Sequence, residues 1–147
     1  MVSINGTVIA MPADPEKLFE ILGQPTRRAK LANMLHTWDE LGLIAYERPG
    51  TGKVQTISVA LDKQPYKFWP KSLFGGTLII DGAKVTAQST IQQINADKSG
   101  VKFGRDDAIG DTWAIEHKTC LITLRDADSK IKSEGARLSN LQIGVRR

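Results

Sequence analysis

The chain has 147 residues, a formal net charge of +4 and a pI near 9.3, and 41% of its residues are hydrophobic. This composition is typical of one soluble globular domain, and no apolar run approaches the ~20 residues of a membrane span. The basic residues are scattered along the sequence, so we expect no nucleic-acid partner.

Two features of the sequence bear on its cellular location. The single cysteine, Cys120, excludes an intramolecular disulfide and favours a reducing compartment. Residues 1–6 lack the basic and apolar regions of a signal peptide. We therefore expect a cytoplasmic protein, or a periplasmic one if a signal peptide has been removed.

The chain begins with signals for a hairpin and a helix. Residues 2–10 predict a β-hairpin, because Asn5-Gly6 is a preferred pair for a type I′ turn. Asp14 is suited to the helix N-cap and Pro15 to the first helical position, and Gly23 is suited to end the helix.

The next segment predicts two strands after a polar stretch. Residues 26–36 are polar and basic, which fits a loop or a short helix. Residues 43–47 and 54–61 predict strands, separated by a turn at residues 48–53. Alternation in the second strand predicts one buried face, formed by Ile57, Val59 and Leu61.

An aromatic connector at residues 62–76 joins the two halves of the chain. Its prolines and glycines predict an irregular loop. We define the connector aromatics as Tyr66, Phe68, Trp69 and Phe74.

The second half predicts a similar series of elements. Residues 77–85 predict a hairpin around Asp81-Gly82, and residues 89–94 predict a helix or a short turn, for which Ser89 is a candidate cap. A polar, glycine-rich stretch follows at residues 95–111. Three strands are predicted at residues 113–117, 119–125 and 138–145, with a charged hairpin tip at residues 126–136.

Three motifs recur along the chain and indicate an internal repeat. Ile4-Asn5-Gly6 returns as Ile80-Asp81-Gly82, Thr37-Trp38 returns as Thr112-Trp113, and residues 57–60 return as residues 141–144. We therefore predict a first repeat at residues 1–61, the connector at residues 62–76 and a second repeat at residues 77–147, in one compact domain.

The predicted fold class is α+β. Each repeat is expected to contribute a hairpin, a helix and two strands to one curved, mainly antiparallel sheet, with the helices on one face. Trp38 and Trp113 are expected to hold equivalent core positions, each with its indole N–H bonded to a carbonyl.

No catalytic, cofactor or metal site is predicted. The run Gly50-Thr51-Gly52-Lys53 lacks the spacing and the following helix of a phosphate loop. His36, His117 and Cys120 are too few for a metal site, and we expect a buried cysteine and a surface histidine at 117. We therefore predict that the protein is not an enzyme.

The best candidate for a functional surface is the connector with the acids before the third predicted strand. Tyr, Trp and Phe are enriched at interface centres, and acids can pair with basic groups of a partner. The alternative is that the aromatics close one end of the core. The candidate partner-binding residues are Asp39, Glu40, Tyr66, Phe68, Trp69 and Phe74.

The sequence resembles a family of bacterial proteins through several motifs. These are a helix ending in Leu22-Gly23-Gln24-Pro25, the signature Trp38-Asp39-Glu40-Leu41-Gly42, and the segments 54–59 and 70–82. The same layout is more remotely similar to the β-lactamase inhibitory protein and to small outer-membrane assembly lipoproteins, although the lipoprotein signal and cysteine are absent. This resemblance implies binding to another protein and supplies no catalytic residues.

From these observations we expect a non-enzymatic protein-binding module, and specifically an immunity protein that neutralises a cognate bacterial toxin by direct binding. The alternative is a small periplasmic or envelope adaptor, or a ligand-binding module. A basic immunity protein is a poor electrostatic match for a basic nuclease, so a toxin with an acidic or neutral interface fits better.

Overall fold

The computed structural model describes residues 1–106, 112–117, 120–126 and 138–145. These residues form two antiparallel sheets and two short helices, which confirms the α+β class. The predicted hairpin tip at residues 126–136 lies, except for its first residue, outside the described residues.

The described elements divide into two series. The first series comprises β1 (Val2–Ile4), β2 (Thr7–Val8), α1 (Pro15–Leu22), β3 (Arg27–Lys30), β4 (Met34–Trp38), β5 (Leu43–Arg48) and β6 (Lys53–Ala60). The second comprises β7 (Leu78–Ile80), β8 (Ala83–Val85), α2 (Ile91–Asp97), β9 (Gly104–Asp106), β10 (Thr112–Glu116), β11 (Leu121–Asp126) and β12 (Leu138–Gly144).

The strands form two sheets, and each sheet contains strands from both halves. The smaller has the order β2-β1-β7-β8, and the larger has the order β3-β4-β5-β6-β12-β11-β10-β9. The expectation of one curved sheet is therefore wrong, because the two short hairpins pair with each other instead of extending the larger sheet. The two halves meet where β1 pairs with β7 and where β6 pairs with β12.

Both predicted hairpin turns are confirmed. Asn5 and Gly6 have φ angles of 50° and 84°, and Asp81 and Gly82 have 49° and 89°. A type I′ turn requires positive φ at both central residues, which Asn, Asp and Gly tolerate best.

The two halves share an element order, and Trp38 and Trp113 lie at matching places in the larger sheet. A single row of paired residues crosses six of its strands: Trp38, Leu43, Val59, Leu141, Leu124 and Trp113. Each tryptophan therefore lies three strands from the boundary between β6 and β12, one in each half. Tandem repetition itself stays a prediction.

The two tryptophans differ in their hydrogen bonds. The indole N–H of Trp38 donates to the carbonyl of Gly23 at 2.9 Å, as predicted. No carbonyl of the described residues accepts from the buried indole N–H of Trp113, so the same prediction is wrong there. Arg105 instead lies over the Trp113 ring, with 5.4 Å from its guanidinium carbon to the ring centroid.

The main core lies on one face of the larger sheet, together with the smaller sheet and both helices. The amphipathic helix α1 contributes Leu18, Phe19 and Leu22, and α2 contributes Ile91 and Ile94. Cys120 is also buried there, as predicted. Among the described residues, neither helix has the length and apolar character needed to cross a membrane.

The helix ends agree only partly with the prediction. Helix α1 begins at Pro15 as predicted, but the Asp14 side chain forms no cap hydrogen bond and pairs with Lys53 instead. Helix α2 is capped by Thr90 and not by Ser89: the Thr90 hydroxyl accepts from the Gln93 amide at 3.2 Å. The Thr90 amide donates back to the Gln93 side chain, completing a capping box.

Residues 26–36 do not form a loop or helix, but β3 and most of β4. The prediction was wrong because residues 35–38 are buried on both sides of the sheet, so polar and apolar side chains do not alternate between water and core. Leu35 faces a second core cluster, whereas Trp38 faces the main core.

Candidate functional site

The connector folds over the face of the larger sheet that lies opposite the helices. There Trp69 packs into a second cluster with Leu35, Ile44 and Ala60. Both faces of β6 are therefore buried around Ser58 and Ala60, which corrects the prediction of a single buried face. Within residues 62–76 no helix or strand forms, as predicted.

One ion pair attaches the connector to the sheet. Arg27 of β3 contacts both carboxylate oxygens of Asp39, with 2.7 Å from Nε to Oδ2 and 2.8 Å from Nη2 to Oδ1. The same guanidinium donates to the carbonyls of Lys67 and Trp69, each at 3.1 Å. Asp39 Oδ1 also accepts from the Lys71 amide at 3.1 Å. We call Arg27 and Asp39 the connector anchor.

Both carboxylate oxygens of Asp39 therefore accept hydrogen bonds from groups within the protein. Burial raises its pKa, but the hydrogen bonds from Arg27 and from the Lys71 amide outweigh burial and leave the pKa of the carboxyl below its ordinary value. Its side chain is only 5% exposed. The neighbouring Glu40 is exposed and is the member of this acidic pair that faces solvent.

Two connector aromatics are part of the core. Trp69 is 9% exposed, and its indole N–H donates to the carbonyl of Asp62 at 3.0 Å. Phe74 is 6% exposed and belongs to the main core, and its amide donates to the carbonyl of Ala60 at 2.8 Å. For these two residues the structure matches the alternative in which the aromatics close the core.

The other two connector aromatics reach the surface. Tyr66 is 42% exposed and Phe68 is half-buried. Their rings meet edge to face, with centroids 5.4 Å apart, and the Lys67 ammonium lies 4.9 Å from the Phe68 ring centroid. The Phe68 carbonyl accepts from Thr37 at 3.4 Å. Tyr66 and Phe68 therefore form an aromatic pair on a backbone that is tied to the sheet.

Gly42 allows the connector to approach the sheet closely. A Cβ atom at this position would lie 2.4 Å from the backbone nitrogen of Phe74 and 2.6 Å from the backbone carbon of Leu73. Gly42 also has a φ of +72°, a conformation that residues with a side chain rarely adopt. Glycine is thus required on both counts.

A second feature lies on the helix side of the sheet. A cleft of about 680 Å³ is bounded by α1 and by β3, β4 and β5. His36 of β4 lines it, with 2.7 Å between its Nε2 atom and Oε2 of Glu47. The His36 ring packs edge to face on Phe19, with centroids 5.3 Å apart. We call this space the His36 cleft.

The His36 cleft could not be recognised from the sequence, in which His36 was a candidate only for metal binding. The pairing of β4 with β5 places His36 opposite Ala45, so Glu47 lies two residues farther along the same face. That register was hidden while residues 26–36 were assigned to a loop or helix. Within the described ranges, no group of three His, Cys, Asp or Glu side chains is arranged to hold a metal ion.

Comparison with known proteins identifies a family for this chain. A family model described as a domain of unknown function, DUF7738, matches residues 1–95. No curated protein and no solved structure matches the chain. Since the matched region includes well over half of the sequence, the chain belongs to the DUF7738 family.

Proposed function

We propose that this protein is a non-enzymatic protein-binding module that acts as an immunity protein, neutralising a cognate bacterial toxin by direct binding. The proposed contact surface consists of Tyr66, Phe68 and Glu40. The single observation that carries the proposal is the pair of exposed Tyr66 and half-buried Phe68 on a connector fixed by Arg27 and Asp39.

The fixed connector favours binding for an energetic reason. Association is opposed by the loss of freedom of loops and side chains, and a surface that is already ordered avoids part of that loss. Tyrosine and phenylalanine supply apolar area with few rotatable bonds and are enriched at interface centres. Asp39, Trp69 and Phe74 serve this surface by holding the connector in place.

The shared element order of the two halves supports a further part of the proposal. We suggest that they are diverged copies in which the first has acquired the connector as a cover for its outer sheet face. In the second half, Thr123 and Gln142 continue the row of Ile44 and Ser58 on the outer sheet face, and both are half-buried polar residues. The partner surface would then be specific to the first copy.

A second candidate function is a ligand-binding or adaptor module, and the His36 cleft is the observation that favours it. The two candidates use opposite faces of the larger sheet. Substitutions in the connector and in the cleft therefore separate them.

The proposal is tested with the gene that neighbours this one. Its product is expressed in cells with and without the present protein, in the reducing cytoplasm that we propose as its location. The proposal predicts that the neighbouring product inhibits growth, and that growth is restored by wild-type protein but not by a Tyr66→Ala, Phe68→Ala variant. A neighbouring product that is harmless, or rescue that is equal with both forms, would reject it.

A further inference from the structure

The His36 cleft has an unusual charge for this protein. Four carboxylates and two basic side chains line it, whereas the whole chain carries a net charge of +4. The carboxylates are Asp14, Glu16, Glu20 and Glu47, and the basic residues are Lys17 and Arg28. The cleft is thus an acidic site within a basic protein, which favours a cationic ligand.

Several of these charges already have partners. Asp14 pairs with Lys53, and Arg28 lies 5.0 Å from the Phe19 ring centroid and donates to Gln24 at 3.3 Å. Glu16 and Glu20 are different, because they are exposed and form no ion pair with any described residue. Their spacing of four residues places both on the same side of α1.

The base of the cleft contains hydrogen-bonding capacity that the protein leaves unused. His36 is 4% exposed, and no described residue forms a hydrogen bond with its buried Nδ1 atom. Glu47 has one oxygen engaged with His36 Nε2, and its side chain is 23% exposed, so the carboxylate remains open to a further donor. A buried polar atom without a partner, such as His36 Nδ1, is rare in folded proteins and marks a place where another group can bind.

We infer that the His36 cleft binds an organic cation with N–H donors, of the arginine or lysine side-chain type. The cationic head is placed at Glu47, with Glu16 and Glu20 adding negative potential at the opening. The aliphatic stem lies against Phe19 and Met34, which supply the apolar part of the lining. Charge-assisted hydrogen bonds to a carboxylate are the strong contacts in such a site.

This inference deepens the second candidate function and does not depend on binding at the connector. The cation has two sources, a free small molecule or a side chain of a protein. The shared chemistry is tested first with the isolated protein, and the source is tested second with a peptide.

The first experiment measures binding of Nα-acetyl-arginine methylamide by following the His36 ring signals in NMR titrations. The matched probe is the citrulline analogue, which keeps the shape and loses the charge. We expect the arginine probe to shift the His36 signals and to bind at least roughly tenfold more tightly than the citrulline probe, as expected for a charged hydrogen bond. Unchanged His36 signals, or equal affinity for both probes, would overturn the inference.

Variants locate the site. Glu47→Gln and the double variant Glu16→Gln, Glu20→Gln are each expected to weaken the arginine probe, and Asp97→Asn on α2 is the exposed control that leaves affinity unchanged. The double variant alters only exposed side chains, so it keeps the test decisive if Glu47→Gln disturbs folding. Affinity that is unaffected in the double variant would overturn the placement of the cation.

The second experiment compares the single-residue probe with an arginine-containing peptide. Tighter binding of the peptide assigns the cation to a protein partner, and equal binding assigns it to a small molecule. This comparison is made only after the arginine probe has been shown to bind, and it identifies whether the cation comes from a protein or from a small molecule. The growth test of the proposed immunity function is independent of these binding experiments, because the connector variants leave the His36 cleft unchanged.

Discussion

Arg27 and Asp39 form a two-point ion pair that ties the connector to the edge of the larger sheet. Asp39 is nearly completely buried, while Arg27 is about one-third exposed. The guanidinium also donates to the carbonyls of Lys67 and Trp69, so a single side chain holds the connector backbone at two further points. This arrangement explains how an irregular segment can present a fixed surface.

The first prediction concerns the connector anchor. Asp39→Asn leaves the Arg27 charge without its carboxylate, and we expect it to lower the free energy of unfolding by about 2–3 kcal/mol, slightly less than a fully buried pair because Arg27 is partly solvated. Urea denaturation measures the change. Glu40→Gln is the adjacent control, and we expect it to stay within about 0.5 kcal/mol of wild type. Equal effects of the two substitutions would show that the anchor contributes nothing to stability.

The second prediction is that the stability contributed by the Asp39 carboxylate depends on pH. Its pKa is lower in the folded protein than its ordinary value, so it stabilises the fold above the unfolded pKa of about 3.9 and loses this contribution as the pH falls through the folded-state pKa. The stability difference between wild type and Asp39→Asn should therefore be full at neutral pH and should narrow below about pH 4. Thermal denaturation of both proteins across this range measures it. A difference that is constant with pH would contradict the assignment.

A third prediction concerns the close approach at Gly42. Alanine at this position meets the backbone of residues 73 and 74, and it also adopts a positive φ. Gly50→Ala is a matched control, because Gly50 has a φ of +78° but no atom within 4 Å of the added Cβ. Both variants should lose about 1–2 kcal/mol from backbone strain, and Gly42→Ala should lose a further ~1–3 kcal/mol from the clash. Similar melting temperatures for the two variants would show that the connector backbone moves away from the added methyl group without a loss of stability, which would contradict the prediction.

A fourth prediction separates the buried from the exposed connector aromatics. Trp69→Ala empties a core position and should cost about 3–5 kcal/mol, whereas Tyr66→Ala removes an exposed ring and should cost less than about 1 kcal/mol. Calorimetric melting of the two variants measures this. A large loss in Tyr66→Ala would place that ring in the core and remove it from the proposed surface.

The elements that could be predicted from the sequence are those fixed by local chemistry. Asn5-Gly6 and Asp81-Gly82 specify their turns because few residues tolerate positive φ, and Gly23 ends α1 with a positive φ for the same reason. Pro15 marks the start of α1, because its fixed φ suits the first helical position. The β3–β4 hairpin could not be predicted, because residues 35–38 of β4 are buried on both sheet faces and no residue of the edge strand β3 is fully buried. Neither strand therefore shows the alternation of apolar and polar residues that identifies a strand.

The candidate site was predictable only in part. The aromatic connector could be recognised from its composition, but the sequence could not distinguish Trp69 from Tyr66, since their burial depends on the sheet face beneath them. Arg27 was missed because its role depends on a pairing with Asp39 across the β3–β4 hairpin. His36 and Glu47 were missed for the same reason, since only the strand register brings them together.

The central claim is that Tyr66 and Phe68 contact a protein partner. The most direct measurement is the affinity of the purified neighbouring-gene product for wild-type protein and for the Tyr66→Ala, Phe68→Ala variant, with Lys84→Ala as an exposed control on β8. Truncation of a central aromatic typically costs ~2 kcal/mol or more, so we predict that the double variant binds at least roughly thirtyfold more weakly while it keeps the wild-type fold. Tight binding that is equal for all three proteins would contradict the claim.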